Sequence, residues 1–528
     1  MIKKWMGDLY IYLHTEKQKF MQFICGNLLL IVTILAFILL GYGSKYFFYA
    51  AQFDTIDMLQ NYEWVLKWWI SIGRFSLVAM KAIFENGFLN INFSNVMTLF
   101  MFPLAIIVWI GILFLKDKNL SKKKELLKNF AFAITFPTIP IMAEQVSFSL
   151  QNWEVISGFV VIAISARIFL DSENNPILLI ISSCLLAWCL GLYQVFLSIF
   201  ILCVFTVWLL DENLNNNHKF MKEILDDCLN KIIRIIMCII VALAIYYFVN
   251  FAVQLLFDIE KSSYLWNSVN WFKEPTIYCL KNIVYYIKTL VWSNNNYYCS
   301  YLYGIIMIVF LIGSFTKKNK IYNFLMRIII VLSPFYFSIL FGGTILMRVQ
   351  ITLAPAIAVE SMVIIQDILS LKIKCKYVLS KFVFLLLLVF SIRNTQILNQ
   401  AWHSEYVTFE YDIQTCYDID KRIQELPDIR QLKQIIFVGR SDFKAKAPYR
   451  ISYENIGSSI FQLDWAGDEG RSKRITALMQ SIGLDYIHVS SDKFGEIFKK
   501  YKEGSNPFYP QEGSILVDEN VIVVILEG

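Results

Sequence analysis

Long apolar runs separated by short basic segments dominate the chain up to about residue 392. A run of about 18 or more apolar residues is long enough to cross a bilayer as a helix. The pattern predicts about eleven membrane-spanning helices, and the shorter runs require tilt or a locally thinner bilayer. The predicted spans are residues 20–42, 96–115, 130–143, 153–170, 176–190, 192–210, 231–257, 301–316, 322–341, 349–369 and 378–392.

Residues 43–95, between the first two predicted spans, follow a different pattern. They mix charged side chains with many Trp and Phe residues, which is typical of interfacial helices with one apolar and one polar face. Alternate loops are rich in Lys and Arg, as cytoplasmic loops are. These basic loops are residues 116–129, 218–231, 317–320 and 372–376. With a cytoplasmic N-terminus and an odd number of spans, residues 43–95 form the first extracytoplasmic loop, and everything after the last span is extracytoplasmic too.

The tail, residues 394–528, is charged and punctuated by Gly and Pro. Short apolar runs at Gln434–Gly439, Tyr486–Ser490 and Val521–Leu526 predict strands, and Arg471–Gly483 predicts an amphipathic helix closed by Gly. The chain is therefore predicted to be a polytopic α-helical membrane protein. Its transmembrane domain, residues 1–393, is followed by a small α/β extracytoplasmic C-terminal domain, residues 394–528.

Composition supports a membrane protein and excludes several other classes. Hydrophobic residues make up 57% of the chain and charged residues 17%, against roughly 25% charged in soluble domains. The net charge of +6 comes from loop lysines, so no nucleic-acid partner is expected. The sequence contains no P-loop, G-x-G-x-x-G, H-E-x-x-H or G-x-S-x-G motif, and its Cys residues lack zinc-ligand spacing. We expect no cofactor and no metal ligands, although a divalent cation stays an open alternative.

Ionisable residues near the predicted outer face are the first candidates for chemistry. Asp54 and Asp57 are three positions apart and share one face of a helix, where a carboxylate can take a proton from a hydroxyl. Arg74, in "SIGRF", and Arg348, in "GGTILMR", can hold a phosphate through paired donors. The alternative is that these charges simply face water, or that the arginines extend to the interface.

Two further groups lie on the same predicted side of the membrane. Glu144 and Gln145 end a Pro-containing span, and Tyr193 and Gln194 form a tight reversal in "GLYQVF". Glu144 is a candidate supporting acid, and the other three residues are candidate substrate contacts. The alternatives are a helix end in the headgroup region and an aromatic residue of the membrane belt.

Taken together, these segments resemble the bacterial serotype-converting glucosyl transferase type II family, Gtr-type enzymes of the GT-C glycosyltransferase class. The segments that carry the resemblance are Asp54–Thr55, "WISIGRF" at Trp69–Phe75, "AEQVSF" at Ala143–Phe148, "GLYQ" at Gly191–Gln194, Arg348, and Leu398–Ile419. The chain departs from the family pattern after Asp54–Thr55, where Ile56 stands in place of a second acidic residue and Asp57 follows. Both aspartates therefore remain candidates for the base.

The resemblance implies a hexosyltransferase that takes sugar, glucose by default, from a polyprenyl-phosphate carrier such as undecaprenyl phosphate. A carboxylate of the first outer loop would be the base, and one carboxylate suffices for direct inversion. The acceptor would be a cell-surface polysaccharide. The Lys-, Ile- and Asn-rich composition indicates an AT-rich genome, as in many Gram-positive bacteria. A Gram-positive source favours teichoic acid or a rhamnose-type wall polysaccharide as the acceptor over O-antigen modification.

Expected partners are the lipid-linked donor, the glycan acceptor, membrane lipid, and a synthase and flippase that supply the donor. The expected location is the plasma membrane of a bacterium. The alternative from another class is a polytopic transporter or lipid-linked glycan flippase. Against this alternative, the sequence has no internal repeat and no matching pair of Gly/Pro-broken helices.

Overall fold

Helices form wherever the apolar runs lie, because a backbone inside a bilayer must satisfy its own hydrogen bonds. A computed structural model of the protein describes residues 2–51, 55–56, 58, 61–85, 90–114, 123–173, 175–210, 221–426, 432–441, 450–462, 467–502, 504 and 506–526. For residues 2–13, 123–125 and 221–228 only the backbone is described. The predicted spans fall on helical residues, but several bounds differ. Residues 20–42 are divided between Ile2–Gly26 and Leu28–Phe47, residues 130–143 between Lys123–Thr138 and Met142–Ser147, and residues 378–392 begin a helix that continues to Gln424.

The helices of the first part of the chain are numbered in chain order. They are α1 Ile2–Gly26, α2 Leu28–Phe47, α3 Tyr62–Ser71, α4 Phe75–Phe84, α5 Ile91–Val108, α6 Lys123–Thr138, α7 Met142–Ser147, α8 Asn152–Asp171, α9 Pro176–Leu192, α10 Phe196–Leu210 and α11 Met221–Leu256. Helix α5 continues as a π-helical segment at Trp109–Phe114.

The later helices follow the same numbering. They are α12 Tyr264–Asn267, α13 Thr276–Val291, α14 Tyr301–Ile312, α15 Lys320–Leu332, α16 Tyr336–Phe341, α17 Leu353–Ser370, α18 Lys376–Gln424, α19 Gly467–Ser481 and α20 Ser491–Lys502. Short 3₁₀ turns lie at Gly313–Thr316, Ser333–Phe335 and Met347–Gln350.

Among the described residues, seven helical segments are long and apolar enough to cross a membrane. They are Leu28–Phe47, Ile91–Phe114, Asn152–Asp171, Leu229–Leu256, Lys320–Phe341, Met347–Ser370 and Lys376–Gln424. Shorter apolar helices lie at Phe75–Phe84, Pro176–Leu192, Phe196–Leu210 and Tyr301–Thr316. The protein is therefore a mostly helical membrane protein.

Local sequence signals set several helix starts. Asn175 caps α9 by accepting a 3.0 Å hydrogen bond from Ile177 N, and Pro176 occupies the first turn, where its missing N–H costs nothing. Asn90 caps α5 in the same way through Phe93 N at 3.0 Å. These caps satisfy backbone groups that a helix end leaves without partners.

The chain forms two compact units. The membrane unit comprises Met1–Gly43, Leu66–Val146 and Gln151–Leu398. The C-terminal unit comprises Ser44–Val65, Ser147–Leu150 and Asn399–Gly528. Helix α18 runs through position 393, so the predicted division of the chain there falls inside a continuous helix. That division into two functional domains stays a prediction.

The C-terminal unit contains a four-stranded sheet in the order β2-β1-β4-β3. The strands are β1 Gln434–Val438, β2 Ile487–His488, β3 Ile515–Asp518 and β4 Val521–Ile525. Strand β1 pairs in parallel with β2 and β4, and β3 pairs antiparallel with β4. The three predicted strands are present, and β3 is an additional edge strand.

Both faces of this sheet are covered, which explains the unbroken apolar run in β4. Ile522 and Val524 pack on one face and Val521, Val523 and Ile525 on the other. The first face also packs against residues that precede α3 and against one side of α18. These contributors are Ala50, Ala51, Ile56, Phe409, Cys416 and Ile419. Part of the predicted first extracytoplasmic loop thus belongs to the core of the C-terminal unit.

The membrane unit encloses a charged group centred on Lys81 near the end of α4. The Lys81 ammonium lies 2.5 Å from Glu85 Oε1 and 2.6 Å from Glu154 Oε1. The three side chains are at most 1% exposed. Because unpaired charges are very costly to bury, this group ties α4 to the start of α8.

Replacing Lys81 tests the role of this group. We expect Lys81→Met to destabilise the protein by about 3–5 kcal/mol, because two carboxylates lose their buried counter-ion. The measurement is the temperature at which the detergent-solubilised protein loses its single peak in size-exclusion chromatography. Adding Glu85→Gln and Glu154→Gln to Lys81→Met should restore most of the lost stability. Lys281→Met, at an exposed position, is the matched control. An unchanged transition temperature for Lys81→Met would contradict this role.

Candidate functional site

The segment "SIGRF" contains the break between α3 and α4, and side chains from distant parts of the chain donate to backbone carbonyls at and just before this break. Gln254 Nε2 donates to Ile70 O at 3.2 Å, and Gln194 Nε2 donates to Ile72 O at 2.9 Å. An irregular backbone inside a membrane protein is tolerated only where such partners exist. The two glutamines therefore fix the path of the chain into Arg74.

Gly73 is required at its position for two reasons. Its φ of +86° lies in the left-handed region, and a Cβ atom there would lie 2.0 Å from Tyr246 Oη. Tyr246 Oη also accepts a 3.2 Å hydrogen bond from Gln194 Nε2. The close approach of Gly73 and Tyr246 places the next residue, Arg74, at the edge of this polar group.

Arg74 is held against Tyr193 in the reversal between α9 and α10. The guanidinium carbon lies 4.6 Å from the centre of the Tyr193 ring, and Nη1 donates to Gln151 Oε1 at 3.4 Å. Tyr193 Oη in turn donates to the backbone carbonyl of Arg348 at 3.4 Å. The predicted phosphate-binding arginines, Arg74 and Arg348, and the predicted substrate contacts, Tyr193 and Gln194, are thus brought together within the membrane unit.

The Arg348 segment is a 3₁₀ turn, Met347–Gln350, that precedes α17. It is tied to the start of α10 through Ser198 Oγ and Thr352 Oγ1, which are 2.7 Å apart. Gln350 is fully buried, and within the described part of the chain neither polar atom of its amide has a hydrogen-bond partner. Buried polar groups are nearly always paired, so the Gln350 amide, two positions from Arg348, is free to bind a water molecule or a ligand.

Glu144 and Gln145 form a second group, built around the loop before α14. Glu144 is fully buried and accepts a hydrogen bond from Tyr298 Oη, whose oxygen lies 2.8 Å from Tyr297 Oη. Burial, together with the Glu144 carboxylate, raises the pKa of Tyr298 well above its usual range, so this phenol stays a donor. Gln145 is 4% exposed, and its Nε2 has no partner within the described residues.

The predicted base residues, Asp54 and Asp57, lie outside the described residues. Their described neighbours Ala51, Ile56 and Met58 are buried in the C-terminal unit. The assignment of the base therefore stays a prediction from the sequence. The described residues also contain no group of three His, Cys, Asp or Glu side chains suited to a metal ion.

Sequence reasoning missed several residues that shape the site. Tyr246 and Gln254 lie on α11, and Gln151, Tyr298 and Gln350 lie beside residues that were predicted. A signal for Gln254 was present, because a polar side chain within an apolar helix is a candidate for function. Gln350, two positions after Arg348, carried a similar signal, whereas nothing in the pattern singled out Tyr246 or Tyr298 among the many tyrosines.

The architecture defines a polytopic helical membrane protein with an arginine-, tyrosine- and glutamine-lined site. Residues 46–372 match the family model for the glucosyl transferase GtrII, and the chain belongs to this family. The matched range includes all the predicted site residues. The resemblance noted from the sequence is thereby confirmed, and the protein is a glycosyltransferase of the glucosyl transferase kind. No curated protein and no solved structure matches the chain.

Substituting Gly73 tests the packing of the "SIGRF" turn. Gly73→Ala should lower the thermal transition temperature of the purified protein, because the new Cβ would collide with Tyr246 Oη and alanine is strained at this φ value. The backbone strain alone should cost about 1–3 kcal/mol of stability. Adding Tyr246→Phe to the Gly73→Ala variant should recover the stability lost to the collision with the hydroxyl group, but not the stability lost to backbone strain. Gly26→Ala is the matched control, since no neighbouring atom lies within 4 Å of the position that its Cβ would take. Equal transitions for Gly73→Ala and Gly26→Ala would show that the turn is not constrained.

Proposed function

We propose that the protein transfers a sugar, glucose by default, from a polyprenyl-phosphate carrier to a cell-surface polysaccharide or teichoic acid. The reaction would take place at the outer face of a bacterial plasma membrane. The observation that carries this proposal is the contact of Arg74 with Tyr193 and of Tyr193 with the Arg348 backbone. These contacts place the Arg348 backbone beside the ring on which Arg74 stacks, and arginine is the residue type that suits a lipid-linked phosphate.

The donor has a long apolar tail and an anionic head, and the membrane unit offers both environments. Guanidinium groups bind phosphate oxygens through paired N–H donors, so Arg74 and Arg348 are the proposed phosphate ligands. Stacking on Tyr193 limits the freedom of the Arg74 guanidinium before the donor arrives. The amide of Gln350 and the Nε2 group of Gln145, which have no hydrogen-bond partner within the described residues, are proposed to bind hydroxyl or phosphate oxygens of the substrates.

The proposed chemistry is a single inverting displacement. The acceptor hydroxyl attacks the anomeric carbon of the donor while the bond from that carbon to the phosphate oxygen breaks. The bonding electrons leave with the phosphate, whose growing negative charge Arg74 and Arg348 stabilise. The hydroxyl proton passes to a carboxylate, proposed to be Asp54 with Asp57 as the alternative and Glu144 as a supporting acid. The products are the glycosylated acceptor, a free polyprenyl phosphate and a protonated carboxyl group, which then loses its proton to water.

The test of this function is transfer by the purified full-length protein. Polyprenyl-phosphate-glucose, -N-acetylglucosamine and -galactose are supplied with purified wall glycan, and sugar incorporation is measured with and without a divalent-cation chelator. Transfer from one donor supports the proposal. Movement of intact lipid-linked sugar across a proteoliposome membrane without transfer would instead support the alternative, a transporter or lipid-linked glycan flippase.

Variants separate the proposed roles. Asp54→Asn keeps the size of the side chain but removes the basic oxygen, so the transfer rate should fall by about 10²–10⁴-fold. Arg74→Ala should also raise the KM for the donor, because a phosphate contact is made before and during the reaction, and Arg74→Lys should be intermediate. Asp258→Asn, at an exposed position of the membrane unit, is the matched control.

The pattern of activities among these variants decides the base. Normal transfer by Asp54→Asn together with an inactive Asp57→Asn would move the base to Asp57. Normal transfer by both single variants and by the double variant would exclude this segment as the source of the base.

A further inference from the structure

The C-terminal unit contains a cavity of about 340 Å³ that the proposed reaction does not use. One wall is a single face of α18, where Tyr411, Asp418 and Arg422 follow at helical spacing. The opposite walls are formed by Ser441, Phe461 and Tyr509. The volume lies within the range of about 300–1,000 Å³ that small-ligand cavities occupy.

The cavity lies at the carboxyl end of the sheet. Ser441 follows the end of β1, and Tyr509 N donates to Ile525 O at the end of β4 at 2.8 Å. Strands β1 and β4 run in parallel, so both of these ends lie at one edge. In open α/β sheets, ligands bind in the crevice outside the carboxyl ends of the strands.

The charged groups of the cavity are paired and fixed in place. Asp418 Oδ2 accepts hydrogen bonds from Arg422 Nε at 3.2 Å and from Tyr509 Oη at 2.6 Å. The Arg422 guanidinium lies 5.2 Å from the centre of the Tyr509 ring, and its Nη1 donates to Pro510 O at 2.5 Å. Within the described residues, Asp418 Oδ1 and Arg422 Nη2 make no hydrogen bond, so a carboxylate oxygen and the two N–H groups of Nη2 remain for a ligand.

This arrangement favours a neutral, polyhydroxylated ligand. Asp418 and Arg422 cancel each other's charge, so the cavity has no net attraction for a phosphate or another anion. A sugar hydroxyl both donates and accepts, which matches a carboxylate oxygen next to a guanidinium N–H. The C–H face of a sugar ring can pack on the rings of Tyr411 and Tyr509, which also line the cavity.

We propose that this cavity binds one sugar residue of the acceptor glycan. The acceptor role of the bound glycan rests on the proposed function. The binding of a sugar in the cavity does not depend on it. The proposal assigns Asp418 and Arg422 to hydroxyl recognition and Tyr411 and Tyr509 to contact with the ring. The C-terminal unit then contributes to the choice of acceptor, while the donor phosphate binds in the membrane unit.

Direct binding tests the proposal with the full-length protein in detergent. Methyl glucoside, N-acetylglucosamine, L-rhamnose and, as the anion, inorganic phosphate are each titrated and followed by saturation-transfer NMR. At least one sugar should bind the wild-type protein. Ser441→Trp should abolish that binding by filling the cavity, and Asp418→Asn should weaken it by about tenfold through the loss of a charged hydrogen bond.

Ser481→Trp is the matched control, because Ser481 is exposed in the same unit and does not line the cavity. It should bind the sugar as the wild type does. Because Ser441→Trp can perturb folding, its thermal transition is measured beside that of Asp418→Asn, which changes no volume. Absence of sugar binding, binding of phosphate alone, or sugar binding unaffected by Ser441→Trp and Asp418→Asn would each overturn the proposal.

A transfer assay then separates this proposal from the proposed function. If the protein transfers sugar, Asp418→Asn should raise the KM for the glycan acceptor by about tenfold. An unchanged acceptor KM beside normal wild-type transfer would overturn the acceptor role while leaving the proposed function intact. If the wild type transfers no sugar to any glycan, the proposed function fails, and the binding titrations alone decide whether the cavity is a sugar site.

Discussion

The ion pairs of Lys81 with Glu85 and Glu154 are the interaction on which the candidate site depends most. They hold the short helix α4 against α8 at one end, while Arg74 precedes the same helix at its other end. A buried ammonium cannot move away from its carboxylates without a large loss of free energy. The charge pairing therefore contributes to the position of Arg74 relative to Gln151, just before α8.

The second constraint is the need to satisfy the backbone of the "SIGRF" turn. Gln194 and Gln254 donate to its carbonyl groups, and Tyr246 closes over Gly73. Tyr246 and Gln254 lie on α11 and Gln194 lies in the reversal between α9 and α10, so two distant parts of the membrane unit hold the turn in place. Rigid placement of charge is what a transferase needs, because a preorganised site needs little reorganisation as charge develops on the leaving phosphate.

The sequence predicts the helical membrane character well, because bilayer thickness imposes a length on every spanning helix. Strand β4 was predictable for a related reason, since burial on both faces leaves an unbroken apolar run. The edge strand Ile515–Asp518 was not predicted, because only Ile515 is buried and no apolar run as long as that of β4 marks it. The hydrogen bond from Gln254 to Ile70, 184 positions apart, could not be predicted. The hydrophobic periodicity within one helix carries no information about its contacts with a distant helix. The candidate residues Arg74, Tyr193 and Arg348 were predicted from their residue types and from the side of the membrane on which they were expected. Their contacts with one another are visible only in the structure.

The central claim is that Arg74 and Arg348 bind the phosphate of a lipid-linked donor. The most direct measurement is a cryo-electron microscopy map of the full-length protein in nanodiscs loaded with polyprenyl phosphate. The account predicts density for the phosphate within hydrogen-bond distance, about 3 Å, of at least one of the two guanidinium groups. Density for an ordered phosphate at any other place in the protein, with both arginines away from it, would contradict the account.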